Sequence, residues 1–537
     1  MKKFLLTMSV LMAVAGLAGC GADSGDTGSE NGGTAAVEVN RGFNATGLPI
    51  ADEPITLSVT TMRWGAMGDT FTQNTWLQEL EERTNVIIDW NVVSSSEWSE
   101  VRSLMLLSGD LPDIFLGHMT IEDGQVMANL HQFMELSGLI ENYMPNYQAA
   151  MAAVPELRAI TTYPDGGIYS FAHVLPGRPV ALGQPVINTV WLNNLGLAAP
   201  TSLDELANVL RAFRDNDPNG NGVNDEIPYT FSGDIDRNWF VMFGISDING
   251  TDMHMVNGVP YYWPASDNYR EAIRWLHSIW SEGGIFDPVG FTQDASAANN
   301  KRANDEIPLV GFMFAWSNNA LTAHWAYQYE IIAPIASPIG RFAEGDFNGI
   351  LALERNSAHI TTGASHPEVA ARWLDQFYDP EATIQNFWGA FNTVITPHED
   401  GTFSLNNPPE GVSADAWYWD QSLRDFGPGY VPPGFNERLI FNPAEGDGRK
   451  LADSQLAEPY VIQDNFPRVI FTVEENEQLA IIGAELSSHV EEMRARWITQ
   501  GGIDEEWDQY IAHLQTIGLD EFTEIHRVAF ERFRAAQ

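Results

Sequence analysis

The chain has 537 residues, with 72 acidic side chains against 28 basic ones, a formal charge of −44 and a single cysteine. That balance excludes nucleic acid and a polybasic grip on anionic lipid, because both need clustered cations. Roughly 490 residues lie beyond the first 47, too many for one ordinary domain, so two or more lobes are expected.

Lys2 and Lys3 precede the apolar run Phe4–Ala15, which is too short to span a bilayer as a permanent helix. Leu17-Ala18-Gly19-Cys20 follows and resembles a bacterial lipobox. Residues 1–19 are therefore expected to be a signal peptide, with Cys20 the lipidated mature N-terminus. The other reading is an ordinary secretory signal with an incidental cysteine. An exported chain with one cysteine has no disulfide partner for it, which favours lipidation. Residues 20–47 are rich in Gly, Ser, Thr, Asp and Asn and read as a flexible tether. A diacylglyceryl cysteine with a further acyl group would anchor stably, where one chain would be marginal.

The body opens with a βα pattern. Ile55–Thr61 reads as a buried strand, Met62–Thr72 as a polar loop and Asn74–Thr84 as a helix. Val86–Val93 is a second strand, Glu97–Leu107 a helix that Gly109 can end in a left-handed cap, and Asp113–Gly117 a third strand. The alternation predicts a parallel, doubly wound sheet whose ligand sits beyond the carboxyl ends of the strands, at loops 62–72 and 117–120. Val186–Leu192 is a candidate crossover strand. Ser202 and Glu205 have capping-box spacing. Ile227–Phe231, Pro308–Phe314 and Tyr329–Ile335 read as later strands. Three helices are expected at the end, about 474–500, 503–518 and 519 onward.

The sharpest local motif is Asp217-Pro-Asn219-Gly-Asn221-Gly-Val223-Asn-Asp225-Glu226. Oxygen donors at positions 1, 3, 5 and 9, a glycine at 6 and a backbone carbonyl at 7 match an EF-hand-like loop, so a structural Ca²⁺ is expected. A register starting at Asp215 places Glu226 at position 12, but the Asp217 register puts Gly222 at the sharp turn. An Asn/Gly/Asp turn without metal is the plain alternative. The chain also carries 17 tryptophans. Flat apolar rings suit the C–H faces of sugars. Trp76, Trp275, Trp373, Trp497 and Trp507 fall in helical apolar patterns and read as core. Trp64, Trp239, Trp316, Trp388, Trp417 and Trp419 fall in expected loops or strand ends, and the first five are taken as ligand candidates. His118, just past a strand end, could bind ligand or be an ordinary turn residue. Carboxylate pairs are too common here to indicate glycosidase chemistry. No nucleophile elbow, phosphate loop, HExxH or dinucleotide fingerprint is present.

Several stretches, in order, resemble the family 1 extracellular solute-binding proteins, in particular the large lipoprotein subgroup of LipO-type and alginate-binding proteins. They are Leu107–Ile114 (LSGDLPDI), Asp165–Phe171 (DGGIYSF), Trp191–Leu197 with Pro200–Glu205, the loop Asp217–Glu226, His366–Tyr378 and Ile498–Glu521. The resemblance implies an α/β, two-lobed periplasmic-binding-protein-like fold of type II, with hinge strands and a helical C-terminal extension. The expected lobes are 48–185 plus 330–362 and 186–329 plus 363–537. It also implies Ca²⁺ on Asp217, Asn219, Asn221, the Val223 carbonyl, Asp225 and Glu226. A monomer is expected that closes around an oligosaccharide and delivers it to ABC permease subunits at the outer membrane face. Gly311–Trp316 resembles the segment that places a stacking Trp in maltodextrin-binding relatives. Asn188-Thr189-Val190 stands where subgroup members commonly carry Arg-Lys-Asp, which points to a neutral sugar. A surface-anchored glycosidase or lyase is the competing reading.

Overall fold

The computed structural model describes residues 42–64, 69–317, 323–345, 353–444 and 446–536. The expected signal peptide, Cys20 and most of the tether lie outside them. Among the described residues no helix is long and apolar enough to cross a membrane.

The first sheet follows the expected pattern for three strands. β1 (Ile55–Arg63) pairs in parallel with β2 (Val86–Ser94) and β3 (Ile114–Leu116). α1 (Thr75–Thr84) begins where the Asn74 side chain accepts the Leu77 N–H at 2.8 Å, and α2 (Ser95–Ser108) ends at Gly109 with φ +74°. The sheet is not wholly parallel. β4 (Phe171–Val174) and a much later strand, Leu353–Ile360, complete the order, and the late strand runs antiparallel to both of its neighbours. The chain enters this strand on returning to the lobe after building the other.

The second sheet uses β5 (Gln184–Asn188) and β6 (Ile227–Tyr229). β7 (Met253–Val256) and β8 (Val259–Tyr262) form a separate hairpin. β9 (Val310–Ala315) and β10 (Tyr329–Ile331) finish the sheet in the order β10-β5-β9-β6. The expected strand 186–192 is cut short. The Asn188 side chain accepts the Trp191 N–H at 3.0 Å and turns the chain into the helix Thr189–Leu195. The expected capping box is half built. The Ser202 hydroxyl accepts the Glu205 N–H, but the Glu205 carboxylate takes the Thr201 N–H and hydroxyl instead of the Ser202 N–H.

Three of the apolar clusters among the described residues define the architecture. Leu57, Val59, Trp76, Leu80, Ile114, Phe171 and Ile360 fill the first lobe. Trp191, Leu210, Phe213, Tyr229, Trp239 and Phe312 fill the second, and the C-terminal helices Val473–Gln500 and Ile503–Ile517 pack onto it through Val490, Trp497, Trp507 and Tyr510. Residues 363–537 were expected together in the second lobe but divide. The helix Pro367–Asp375 buries Val369, Trp373 and Leu374 in the first core. Residues 380–441 build a third core around Ile384, Phe387, Trp388, Phe403 and Phe435, with a small three-stranded sheet. Its amphipathic pattern shows that helix 367–375 buries a face; only contact decides against which sheet.

Candidate ligand-binding edge

β1 and β3 end at Arg63 and Leu116, and the next residues are Trp64 and Gly117-His118. In the other sheet β9 ends at Ala315 and Trp316 follows. Both are carboxyl edges, where open α/β sheets present ligands. Trp64 is exposed and Trp316 half-buried.

Arg178, from the connection between β4 and β5, links the two edges. Its guanidinium lies 5.7 Å from the centre of the Trp316 ring and 3.1 Å from the Asp425 carboxylate. The Asp425 carbonyl is 2.7 Å from Nδ1 of His118. The His118 ring stacks on Phe426, centroids 5.4 Å apart, and Trp64 meets the same ring edge-on at 5.9 Å. Gly117 permits this approach. It sits at φ +105°, and a Cβ there would stand 2.8 Å from the Phe426 ring. Arg63 ties the same corner to β1 by donating to the carbonyls of Leu423 at 3.0 Å and Trp419 at 2.7 Å, with its guanidinium between the Phe71 and Trp419 rings.

Several charges along this edge are paired. Burial pushes the Asp425 carboxyl up, but Arg178 and Arg424 outweigh it and hold the group below its ordinary value. Burial likewise opposes ionisation of Glu354, and His118 and Arg468 outweigh it. Arg468 donates to Glu354 and, at 3.1 Å, to the Asn249 side chain of the second lobe. Arg355 is paired with Asp123. Burial, then His118, pushes His173 down to about 4, so it is neutral near pH 7, and its Nδ1 is buried without a partner. Hollows of about 190 and 470 Å³ flank the segment Phe466–Arg468 and share Asn249, Glu354 and Arg355.

The structure therefore brings together Trp64, His118 and Trp316 of the expected ligand residues. Two others are core. Trp239 is fully buried on a short helix, Asn238–Val241, among Tyr229, Trp275 and Phe314 at 5.1–5.3 Å. Trp388 is fully buried at the end of the helix Pro380–Trp388 and donates Nε1–H to Asp447 at 2.7 Å. Trp417 lies on a helix, Ala414–Gln421, half-buried against the third core and Tyr418 rather than at the edge. Sequence reasoning missed Arg178, Asp425 and Phe426. Arg178 sits in the loop Gly177-Arg178-Pro179, and Asp425 and Phe426 in a one-turn 3-10 helix, Arg424–Phe426, just before Gly427-Pro428; that Gly/Pro punctuation was the one signal available.

The loop 217–226 folds its donors inward. Asp217 accepts the N–H groups of Gly220, Asn221 and Gly222 at 2.8–3.1 Å, and Asp225 accepts both Asn219 and Asn221 amides at 3.0–3.2 Å. Glu226 Oε2 is buried without a partner, and burial, with Asp217 and Asp225 nearby, pushes its carboxyl up. Among the described residues no three His, Cys, Asp or Glu side chains are grouped closely enough to hold a metal by themselves. Here half of the donor set is amide and carbonyl oxygen. An orphaned carboxylate oxygen among other acids fits a hard cation.

No protein-family model matches the chain. It is 30% identical over 479 residues to the fructooligosaccharide ABC transporter substrate-binding protein FusA of Streptococcus pneumoniae, covering 86% of this chain and 87% of that one. Solved structures of FusA, one with kestose and one of an EF-hand mutant with fructo-nystose, each match with a TM-score of 0.74 at 28% identity, covering 90% of this chain and all of theirs. A solute-binding protein from Bifidobacterium longum infantis shares the fold, with a TM-score of 0.75 at 24% identity over 90% of this chain and 99% of that one. The two-lobed binding-protein fold, the order of motifs and this similarity agree: the chain belongs to the substrate-binding proteins of ABC transporters, extracellular solute-binding protein family 1, which capture a solute and hand it on without transforming it.

Proposed function

We propose that this protein captures a neutral oligosaccharide between the carboxyl edges of its two sheets and delivers it to an ABC importer. The observation that carries this reading is the arrangement of exposed Trp64, backed by the buried Phe426 ring, on one side, Trp316 on the other, and the Arg178–Asp425 pair between them. Aromatic faces suit sugar C–H surfaces, and fixed polar groups suit hydroxyls. Neutrality is supported by compensation: Arg178, Arg468 and Arg355 each already face a carboxylate, so an acidic sugar would find no uncompensated cation among them. The oligosaccharide complexes of FusA support a carbohydrate ligand.

Closure of the lobes around the sugar would expose the form that the permease recognises. Cys20 would hold the protein at the outer membrane face through lipid, and the protein acts as a monomer. Asp217, Asn219, Asn221, the Val223 carbonyl, Asp225 and Glu226 would hold Ca²⁺. The ion supplies charge neutralisation, and its role is structural. Isothermal titration of the purified protein with kestose and nystose, with product analysis after long incubation, tests the reading. Saturable binding without turnover supports it, and release of cleaved sugar returns the surface-enzyme alternative.

A further inference from the structure

We propose that the buried Arg424–Asp447 ion pair is a positioning device that holds Asp425 at the ligand edge and the Phe426 ring behind Trp64 and His118. This rests on the ligand lying at that edge.

Arg424 has φ +52°, an unfavourable conformation for any residue with a Cβ. A glycine would relax it, so the retained side chain calls for a reason. The residue is 2% exposed, and its guanidinium sits on both carboxylate oxygens of Asp447, at 3.0 and 3.1 Å, while lying 4.3 Å over the Phe387 ring. Asp447 also accepts the Trp388 indole N–H at 2.7 Å, and Lys450 stands 3.4 Å away. Burial opposes ionisation of Asp447, but Arg424 and Lys450 outweigh it and hold the carboxyl far below its ordinary value. The pair lies in the third core, beneath the loop it serves.

Asn386 clamps the base of the same corner. Its carbonyl accepts the Leu423 N–H at 3.1 Å, and its amide donates to the Pro428 carbonyl at 3.0 Å. Residues 423 and 428 are thus tied down on either side and 424 is locked by the ion pair. Asp425 and Phe426 project from this base, the first to Arg178 and His118, the second to His118 and Trp64. A buried ion pair is a poor device for stability alone, since well-packed apolar side chains often serve as well. A left-handed residue whose side chain must stay fixed, next to the partly exposed Asp425 and the buried Phe426 ring that backs Trp64 and His118, gives the charge a directional task.

The test is kestose titration of R424G, with R424K as the conservative control and W316A as the check on where the sugar lies. In R424G the Asp447 carboxylate keeps Lys450 and Trp388 as partners, so its charge is not orphaned. The expected result is at least a tenfold rise in Kd for R424G, recovery to within about threefold of the natural protein for R424K, and a changed His118 ring signal in NMR as its contact with the Asp425 carbonyl is lost. A folded R424G with Kd within twofold of the natural protein and an unchanged His118 signal overturns the inference. If R424G does not fold, D447N is read by the same limits. If W316A leaves kestose affinity unchanged, it is the placement of the ligand that fails; if W316A weakens binding and R424G does not, only the positioning role fails.

Discussion

Replacing Trp316 by alanine separates a binding platform from a core residue. Trp316 is half-buried one residue past β9, and its described ring partner is Arg178 at 5.7 Å. Losing that cation–π contact should cost about 0.5–1 kcal/mol of stability. A chain of this size gains roughly 1 kcal/mol/K of unfolding entropy, so Tm should fall by only about 1 °C. Losing a stacking platform should cost on the order of 1–3 kcal/mol of sugar affinity, judged from anchor-residue truncations. That is a rise in Kd of roughly 5- to 150-fold. Trp239→Ala is the contrast. Trp239 is fully buried among five aromatic rings, and its loss should cost about 3–5 kcal/mol through the cavity left behind, a Tm fall of about 3–5 °C, with the folded fraction binding sugar normally. Calorimetry and titration on both variants decide it. A large Tm loss in W316A with unchanged affinity would refute the reasoning.

Three further outcomes are expected. Chelator should lower Tm by about 3 °C if Ca²⁺ is present at roughly a hundred times its Kd, which gives about 2.7 kcal/mol; D225A should melt like the chelated natural protein and ignore chelator, and a chelator-insensitive natural protein removes the ion. Asp375 is buried, and burial pushes its carboxyl up to about 7, from an ordinary value of 3.8. The folded state therefore keeps a proton the unfolded chain releases, so this contribution is fully present below about pH 4 and is lost as pH rises through 7, by at most about 4 kcal/mol. D375N keeps an acceptor for the Tyr147 N–H, now 2.9 Å from the carboxylate, and should be more stable than the natural protein at pH 8 but not at pH 4; equal pH slopes in denaturant melts would contradict this. Cys20→Ala should move the protein from the membrane fraction to the medium, and retention on membranes would count against lipidation.

Local patterns carried much of the fold. The β1–α1–β2–α2–β3 run was legible because the alternation of apolar strand runs with helical patterns, Asn74 at the cap and Gly109 at the end all point the same way. What stayed hidden depended on contacts distant in sequence. The Leu353–Ile360 strand enters the first sheet antiparallel from nearly two hundred residues beyond its β4 neighbour, and nothing in its own residues names that sheet. The site divides the same way. Trp64, His118 and Trp316 were legible as edge residues because they follow strand ends. Trp239 and Trp388 were misplaced because short helices turned them inward, which loop-like composition does not reveal. Asp425 and Phe426 reach His118 across more than three hundred residues, held by an ion pair and a left-handed residue that only the folded chain brings together.

Titration with a matched pair of trisaccharides tests the central claim most directly: kestose as the neutral member and trigalacturonate as the acidic one, each with product analysis. One-to-one saturable binding of kestose, no measurable binding of trigalacturonate and no cleavage of either is the predicted result. Preferential binding of trigalacturonate, or release of shorter sugars from either one, would contradict it.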